Sequence, residues 1–179
     1  MFYSTHYSSP IGPLMLASDG LNLTGLWMEG QKYFAATVKG VLQKEQDLPV
    51  FTHTRKWLDD YFSGKKPLPS ALPLAPKGGD FRKMVWDILC DIPYGSVSTY
   101  GDIARSLAIK MNKKTMSAQA VGGAVGHNPI SIIIPCHRVI GSNGSLTGYA
   151  GGIDKKIKLL EHEKVDISRL FVPDKSTAP

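Results

Sequence analysis

Residues 99–126 read TYGDIARSLAIKMNKKTMSAQAVGGAVG, and two short helices with a turn between them can be built from that line alone. Thr99 followed three residues later by Asp102 resembles a capping box with Asp in the acidic slot. It opens a helix with Tyr100, Ile103, Ala104 and Leu107 along one side. A charged loop follows, Ile109 to Thr115, carrying Lys110, Lys113 and Lys114. Ser117 then caps a helix of small residues, Ala118 to Val125, in which Gly122 and Gly123 let another backbone approach closely. Such a pair is compatible with a helix-turn-helix. It equally suits two packed helices joined by a solvated basic loop, and the residues alone leave both readings open.

Working outward, Asp80 is a good N-cap for a helix whose Phe81, Val85, Ile88 and Ile92 recur at helical spacing until Pro93-Tyr94-Gly95 stops it. Downstream, Ser131 to Ile134 reads as a buried strand that runs into Pro135-Cys136-His137-Arg138-Val139-Ile140. Asn143-Gly144 signals a turn, and a last helix from about Asp154 to Lys164 buries Ile157 and Leu160, with His162 and Glu163 at its end. Upstream, KKPLPSALPLAPKGG (residues 65–79) has the proline density of a linker. Before it, apolar runs at Phe2–Tyr7, Gly12–Ala17 and Leu21–Met28, punctuated by Ser9-Pro10 and Asp19-Gly20, suggest a small antiparallel sheet. A helix from about Thr52 to Phe62 follows and ends at Gly64, suited to a left-handed cap. The expected organisation is therefore an α/β N-terminal domain (1–79, with the linker 65–79), a mostly α-helical C-terminal domain (80–170) and a flexible polar tail (171–179).

Composition narrows the function without naming it. A chain of 179 residues with 42% hydrophobic and 20% charged residues excludes collagen, coiled coil and wholesale disorder. Net charge is +6, and most of the excess falls between residues 80 and 170, which favours an anionic partner. No run of about 18 apolar residues occurs and the start lacks a signal-peptide layout, so a cytoplasmic protein with no membrane partner is expected. Two cysteines, Cys90 and Cys136, make neither a disulfide framework nor a four-cysteine zinc site; no metal is expected.

Cys90 sits inside an amphipathic helix and reads as packing. Cys136 differs, because it closes an apolar run beside His137 and Arg138, groups that can activate a thiol. Adjacent side chains on extended backbone point to opposite faces, so spacing by itself supports a reactive cysteine only weakly.

The run IIIPCHRVI, preceded by AVGGAVGHNP and followed by GYAGG and LLEHE, strongly resembles the O6-alkylguanine-DNA alkyltransferases, which repair alkylated bases by methylated-DNA–protein-cysteine transfer. The likeness covers roughly residues 80–164. It implies a ribonuclease-H-like N-terminal domain and a winged-helix-like helix-turn-helix. Its second helix enters the minor groove of double-stranded DNA, largely without regard to sequence, in a protein acting as a monomer. The resemblance also implies that Cys136 is nucleophile and alkyl acceptor, with His137 relaying its proton through a water and Glu163 holding the imidazole. His162 is the competing candidate one residue earlier, but the family register selects Glu163, and a carboxylate orients and charge-stabilises an imidazole better than a second imidazole does. Tyr100 would donate to N3 of the leaving guanine. The carbonyls of Cys136 and Val139 would accept from its exocyclic amine, and the N–H of Ala150 would donate to O6. Tyr149 would wall the alkyl pocket, Asn128 would brace the turn before the active-site segment, and Gly122 and Gly123 would admit the phosphates. Arg138 is expected in a structural ion pair.

Two departures from the family pattern are visible. Gln119 stands where many relatives have the arginine that fills the gap left by the flipped nucleotide, and the loop 109–115 is longer than usual. No cofactor is implied, and a thioether product offers no route back to the thiol, so each molecule should act once. Two other readings remain on the sequence: a DNA-lesion sensor that does not transfer, against which the presence of Cys136 argues, and a cysteine hydrolase.

Overall fold

The computed structural model describes residues 1–174; positions 175–179, the end of the tail expected to fray, lie outside the described residues. The chain forms two compact units, Met1–Gly78 with Pro129–Ile133, and Gly79–Asn128 with Ile134 onward. No helix among the described residues is long and apolar enough to cross a membrane.

The first unit is built on a sheet of four strands. β1 (Phe2–Ser9), β2 (Gly12–Ser18) and β3 (Leu23–Met28) form the expected antiparallel meander, with Thr5 opposite Leu16 and Leu16 opposite Leu26. β4 (Leu42–Lys44) adds in parallel beside β1, so the sheet is mixed, in the order β3-β2-β1-β4. The β2–β3 turn is held by Asp19, whose carboxylate accepts from the backbone N–H groups of Leu21 and Asn22 at 3.1 and 2.7 Å. Gly25 is obligatory: a Cβ there would come within 1.8 Å of the Trp27 indole. α1 (Pro49–Phe62) begins with proline at its first turn, earlier than the apolar spacing suggests, and buries Phe51, Thr54, Trp57, Leu58 and Tyr61 at helical spacing. Gly64 follows at φ +85°, in the left-handed conformation expected of it.

The proline-rich stretch is ordered against this unit. Leu23 N–H donates to the Pro73 carbonyl at 2.8 Å and Ala75 N–H to the Leu23 carbonyl at 2.9 Å. The segment expected as a strand, Ser131–Ile134, is instead a buried turn: Ile132 has φ +69° and Ile133 N–H donates to Ser131 at 2.8 Å. Burial explains the isoleucines, and a short apolar run does not distinguish strand from buried turn. Just before it, Leu26 N–H donates to the Pro129 carbonyl and Ser131 N–H to the Leu26 carbonyl, both at 2.9 Å.

The second unit is mostly helical: α2 (Asp80–Cys90), α3 (Tyr100–Lys110), α4 (Ala118–Gly126) and α5 (Ile153–His162), with β5 (Ser98–Thr99) and β6 (Val139–Ile140) as a two-residue parallel ladder. Asp80 is the first helical residue and Gly79 the cap. Both caps of the helix pair form. The Thr99 hydroxyl accepts from Asp102 N–H while the Asp102 carboxylate accepts from Thr99 N–H, each at 3.1 Å. Ser117 accepts from Ala120 N–H at 3.2 Å. Val85, Trp86, Ile88 and Leu89 of α2 are buried, and the Trp86 indole N–H donates to the Ala124 carbonyl of α4 at 2.9 Å. Ile140, Leu146 and Leu160 form a satellite core that α5 closes. Gly144 takes the turn at φ +87°, and Phe171 bonds on both sides of it, to the Gly144 carbonyl and the Leu146 N–H.

Candidate active site

Cys136 opens a single turn of 3-10 helix, Cys136–Arg138, between Pro135 and β6. The turn replaces the extended backbone on which neighbouring side chains diverge, and all three of its side chains are buried. The Cys136 thiol accepts a hydrogen bond from the Asn128 amide at 3.1 Å, and the same amide nitrogen donates to the Ile134 carbonyl at 2.8 Å. Asn128 thus ties the end of α4 to the segment that carries the sulfur. Burial pushes the Cys136 thiol above its ordinary pKa; the Asn128 hydrogen bond and the charge of Lys156 pull the other way without overcoming it.

His137 is fully buried, and its Nε2 lies 2.6 Å from Glu163 Oε1. Glu163 sits immediately past the C-terminus of α5 and is 2% exposed. Arg138 donates to it twice, from Nε to Oε2 at 2.9 Å and from Nη2 to Oε1 at 3.0 Å, and Gly95 N–H donates to Oε2 at 3.0 Å. Burial works to raise the Glu163 carboxyl, but His137 and Arg138 outweigh it and hold the group well below the usual carboxylate range. Burial lowers the His137 imidazole, and although Glu163 pulls it back, Arg138 and Lys156 add to the depression. The pair is therefore a neutral imidazole on an ionised carboxylate. Nε2 carries the proton and donates it to Glu163, so Nδ1 carries the lone pair. Nδ1 has no hydrogen-bond partner among the described residues. An imidazole fixed in this tautomer can accept a proton at Nδ1.

The carboxylate that meets the imidazole is Glu163, the residue the family register favours over His162. His162 lies against Tyr94, with ring centroids 6.4 Å apart, while its carbonyl accepts from the Tyr94 hydroxyl at 3.3 Å. Arg138 makes the expected ion pair, donates to the Ile92 carbonyl at 2.6 Å, and lies 5.8 Å from the Tyr94 ring centroid.

Tyr100, the first residue of α3, directs its hydroxyl at the carbonyls of Thr147 and Gly148, at 3.2 and 3.3 Å. Burial keeps it protonated far into alkaline pH, so it is available as a donor. Lys156 joins the site without having been among the sequence candidates. It is wholly buried in α5 and its ammonium donates to the carbonyls of Val139 (2.5 Å) and Thr147 (3.0 Å). The sequence does carry a signal, since Ile153, Lys156, Ile157 and Leu160 share one face of α5 and place this lysine on its apolar stripe. Burial pulls Lys156 down to about 8, against the attraction of Cys136. Gly95, in sequence only a helix stop, also belongs to the site. It has φ +78°, and a Cβ would meet the Glu163 carbonyl at 3.0 Å.

Of the remaining candidates, Tyr149 is buried and its hydroxyl is pushed well up by burial and then by the charge of Cys136. Ala150 is half-buried, with an N–H that has no partner among the described residues. Gln119 is exposed on α4. Gly122 faces the Tyr100 ring, where a Cβ would make ordinary contact at 3.8 Å, whereas at Gly123 a Cβ would meet nothing within 4 Å. The smallness of Gly123 is not required by anything inside this unit.

Residues 1–76 match the model of the 6-O-methylguanine DNA methyltransferase ribonuclease-like domain, and residues 80–165 that of the 6-O-methylguanine DNA methyltransferase DNA binding domain. A methylated-DNA–protein-cysteine methyltransferase of Haemophilus influenzae is 44% identical over 163 residues, covering 91% of this chain and 87% of that protein. One from Methanosarcina barkeri is 45% identical over 166 residues, covering 92% and 98%. Among solved structures, Mycobacterium tuberculosis OGT in complex with DNA is 42% identical with a TM-score of 0.75 and covers 94% of each chain.

Proposed function

The chain belongs to the 6-O-methylguanine DNA methyltransferase family, and from that premise we propose that Cys136 is the residue that takes the alkyl group. The protein repairs DNA by transferring an alkyl group from a damaged base to a cysteine of its own. The observation that carries the assignment is the buried thiol bonded by Asn128 and followed by a neutral imidazole, itself locked on an ionised carboxylate.

An alkyl group on O6 of guanine lies within the base stack, so in-line attack requires the nucleotide to be extruded. In the pocket, the Cys136 sulfur forms a bond to the alkyl carbon as the carbon–O6 bond breaks, and the electron pair passes to the purine. The thiol proton goes to His137 Nδ1 through a water, and Glu163 stabilises the resulting imidazolium. Tyr100 turns its hydroxyl from the Thr147 and Gly148 carbonyls to N3 of the base and supplies the proton that neutralises the leaving guanine; the proton held on His137 then restores the phenol, so that in sum one proton passes from the thiol to guanine. The free N–H of Ala150 donates to O6, and the Val139 carbonyl, held by Lys156, accepts from the exocyclic amine. Tyr149 walls the alkyl pocket. The thioether has no leaving group, so one molecule reacts once.

DNA approach is assigned to α4. The absence of any internal need for Gly123 supports close passage of a phosphate backbone there. Contacts of that kind are read without base sequence and weaken with salt. Binding through the minor groove, action as a monomer, and residence in the reducing cytoplasm complete the reading. Intact mass after mixing with a duplex containing O6-methylguanine tests it. One methyl adduct per molecule, mapped to Cys136, is expected, and Cys136→Ala should give none while still binding DNA. Tight binding without an adduct on the unaltered protein would mark a lesion sensor instead, and repeated turnover a hydrolase.

A further inference from the structure

We infer that the groove between the end of α3 and the start of α4 holds the sugar–phosphate backbone of the DNA, a contact separate from the residues around Cys136; the inference rests on the DNA-repair reading above.

The groove measures about 460 Å³. Its floor is small and largely apolar, with Gly101, Ala104 and Ala108 of α3 facing Met116 and Ala118. Its rim is cationic, with Arg105, Lys113 and Lys114 and no acidic residue in the lining. Arg105 is paired with Asp102, an acid also committed to the Thr99 cap. Lys113 and Lys114 are exposed and have no acidic partner among the described residues. The loop that carries them is folded back on the helix: Lys113 N–H donates to the Ala108 carbonyl at 2.8 Å, and Asn112 takes φ +51°, a conformation asparagine tolerates. The lysines therefore start from a fixed backbone rather than a trailing loop.

Charge balance points to the occupant. α4, the helix assigned to the DNA, reads AQAVGGAVG and carries no charged side chain. Phosphates passing along it need cations from elsewhere, and this rim is the adjoining source in sequence. A narrow apolar floor with cations on its edge suits a chain in which apolar deoxyribose alternates with anionic phosphate. A compact anion would instead need donors converging on one point. Lys113 and Lys114 thus supply the charge that Gln119 does not.

The test measures binding of the full-length protein to an unmodified duplex across a salt series. Each phosphate neutralised contributes about 0.9 to the slope of log affinity against log salt, so K113Q/K114Q should reduce the slope by about 1.8 and weaken binding at every sequence alike. K113R/K114R should retain the slope, and K39Q/K44Q, an equal loss of charge in the other unit, should leave it unchanged. Transfer from the free base O6-benzylguanine to Cys136 should proceed at the unaltered rate in K113Q/K114Q, which shows that the variant is folded. An unchanged slope in K113Q/K114Q, or an equal fall in K39Q/K44Q, overturns the inference. Stronger binding of poly-glutamate than of duplex at the same salt also overturns it, in favour of an acidic protein. If the unaltered protein forms no adduct with alkylated DNA, the repair reading fails, whereas an adduct with an unchanged slope removes the groove alone.

Discussion

Replacing Glu163 by glutamine keeps the shape of the side chain and removes one charge, at a position where both carboxylate oxygens are fully engaged. They receive four hydrogen bonds: His137 Nε2 and Arg138 Nη2 on Oε1, Arg138 Nε and Gly95 N on Oε2. An amide offers one oxygen and one NH2 group, so whichever way it is placed, two of those donors face another donor. The Arg138 guanidinium is left buried without its counter-charge. Breaking a buried pair in this way costs about 3–5 kcal/mol. In a chain of this size each kcal/mol lowers Tm by roughly 2–4 °C, so a large downward shift is expected. Urea unfolding at pH 7 should show it as a lower midpoint at unchanged slope. The pH dependence comes from the sign of the shift. The folded carboxyl is held below its unfolded value, so its stabilisation is complete above the ordinary carboxylate pKa of about 4.3 and fades as pH falls toward the folded value. The gap between the parent and E163Q should therefore be constant from neutral pH down to about pH 5 and narrow below that. Adding R138M to E163Q removes the orphaned cation and should recover much of the loss, giving a strongly non-additive double-mutant cycle. A destabilisation below about 1 kcal/mol, or a cycle that is simply additive, would refute the view of Glu163 as the shared counter-ion.

Lys156→Met should remove a rise in stability across the interval from about 8 to 10.5, because the unfolded lysine keeps its proton up to 10.5 while the folded one releases it near 8. Unfolding free energies of the two proteins over that range check this, and an equal rise in both would refute it. Gly123→Ala should stabilise the free protein by up to about 1 kcal/mol, since helix propensity improves and a Cβ meets nothing. It should weaken duplex binding and leave transfer from O6-benzylguanine unchanged; stabilisation with unaltered DNA affinity would remove α4 from the interface.

The features legible in the sequence are local ones. The capping pairs Thr99–Asp102 and Ser117–Ala120 are set by side chains within three residues of the groups they satisfy, and both form. The antiparallel meander follows from alternation and turn residues, and α1 from an apolar stripe. β4, β5 and β6 escape a reading of the sequence because two or three residues carry no periodicity and their pairing is parallel, with partners distant in sequence. The isoleucine run misleads because its apolar character reports burial, and burial does not specify the backbone angle at Ile132.

The sequence by itself determined the family and, through it, which cysteine and which companions to propose, because PCHRV and LLEHE are contiguous and can be matched residue by residue. What it left open was contact. Cys136 and His137 are neighbours in any conformation, yet only the 3-10 turn buries them together. Glu163 and His162 are adjacent at a helix end; the family register favours Glu163, and the last turn of α5 supplies the contacts, directing that side chain to His137 and Arg138 and His162 to Tyr94. Gly95 and Lys156 entered the site in the same way. One is a backbone N–H meeting a carboxylate 68 residues away, the other an ammonium reaching carbonyls 17 and 9 residues away. A residue's chemistry is carried in its type and can be read along the chain. Its electrostatic environment is the sum of groups brought within a few ångströms by packing, so only the folded arrangement could decide which histidine nitrogen is free and which carboxylate keeps its charge.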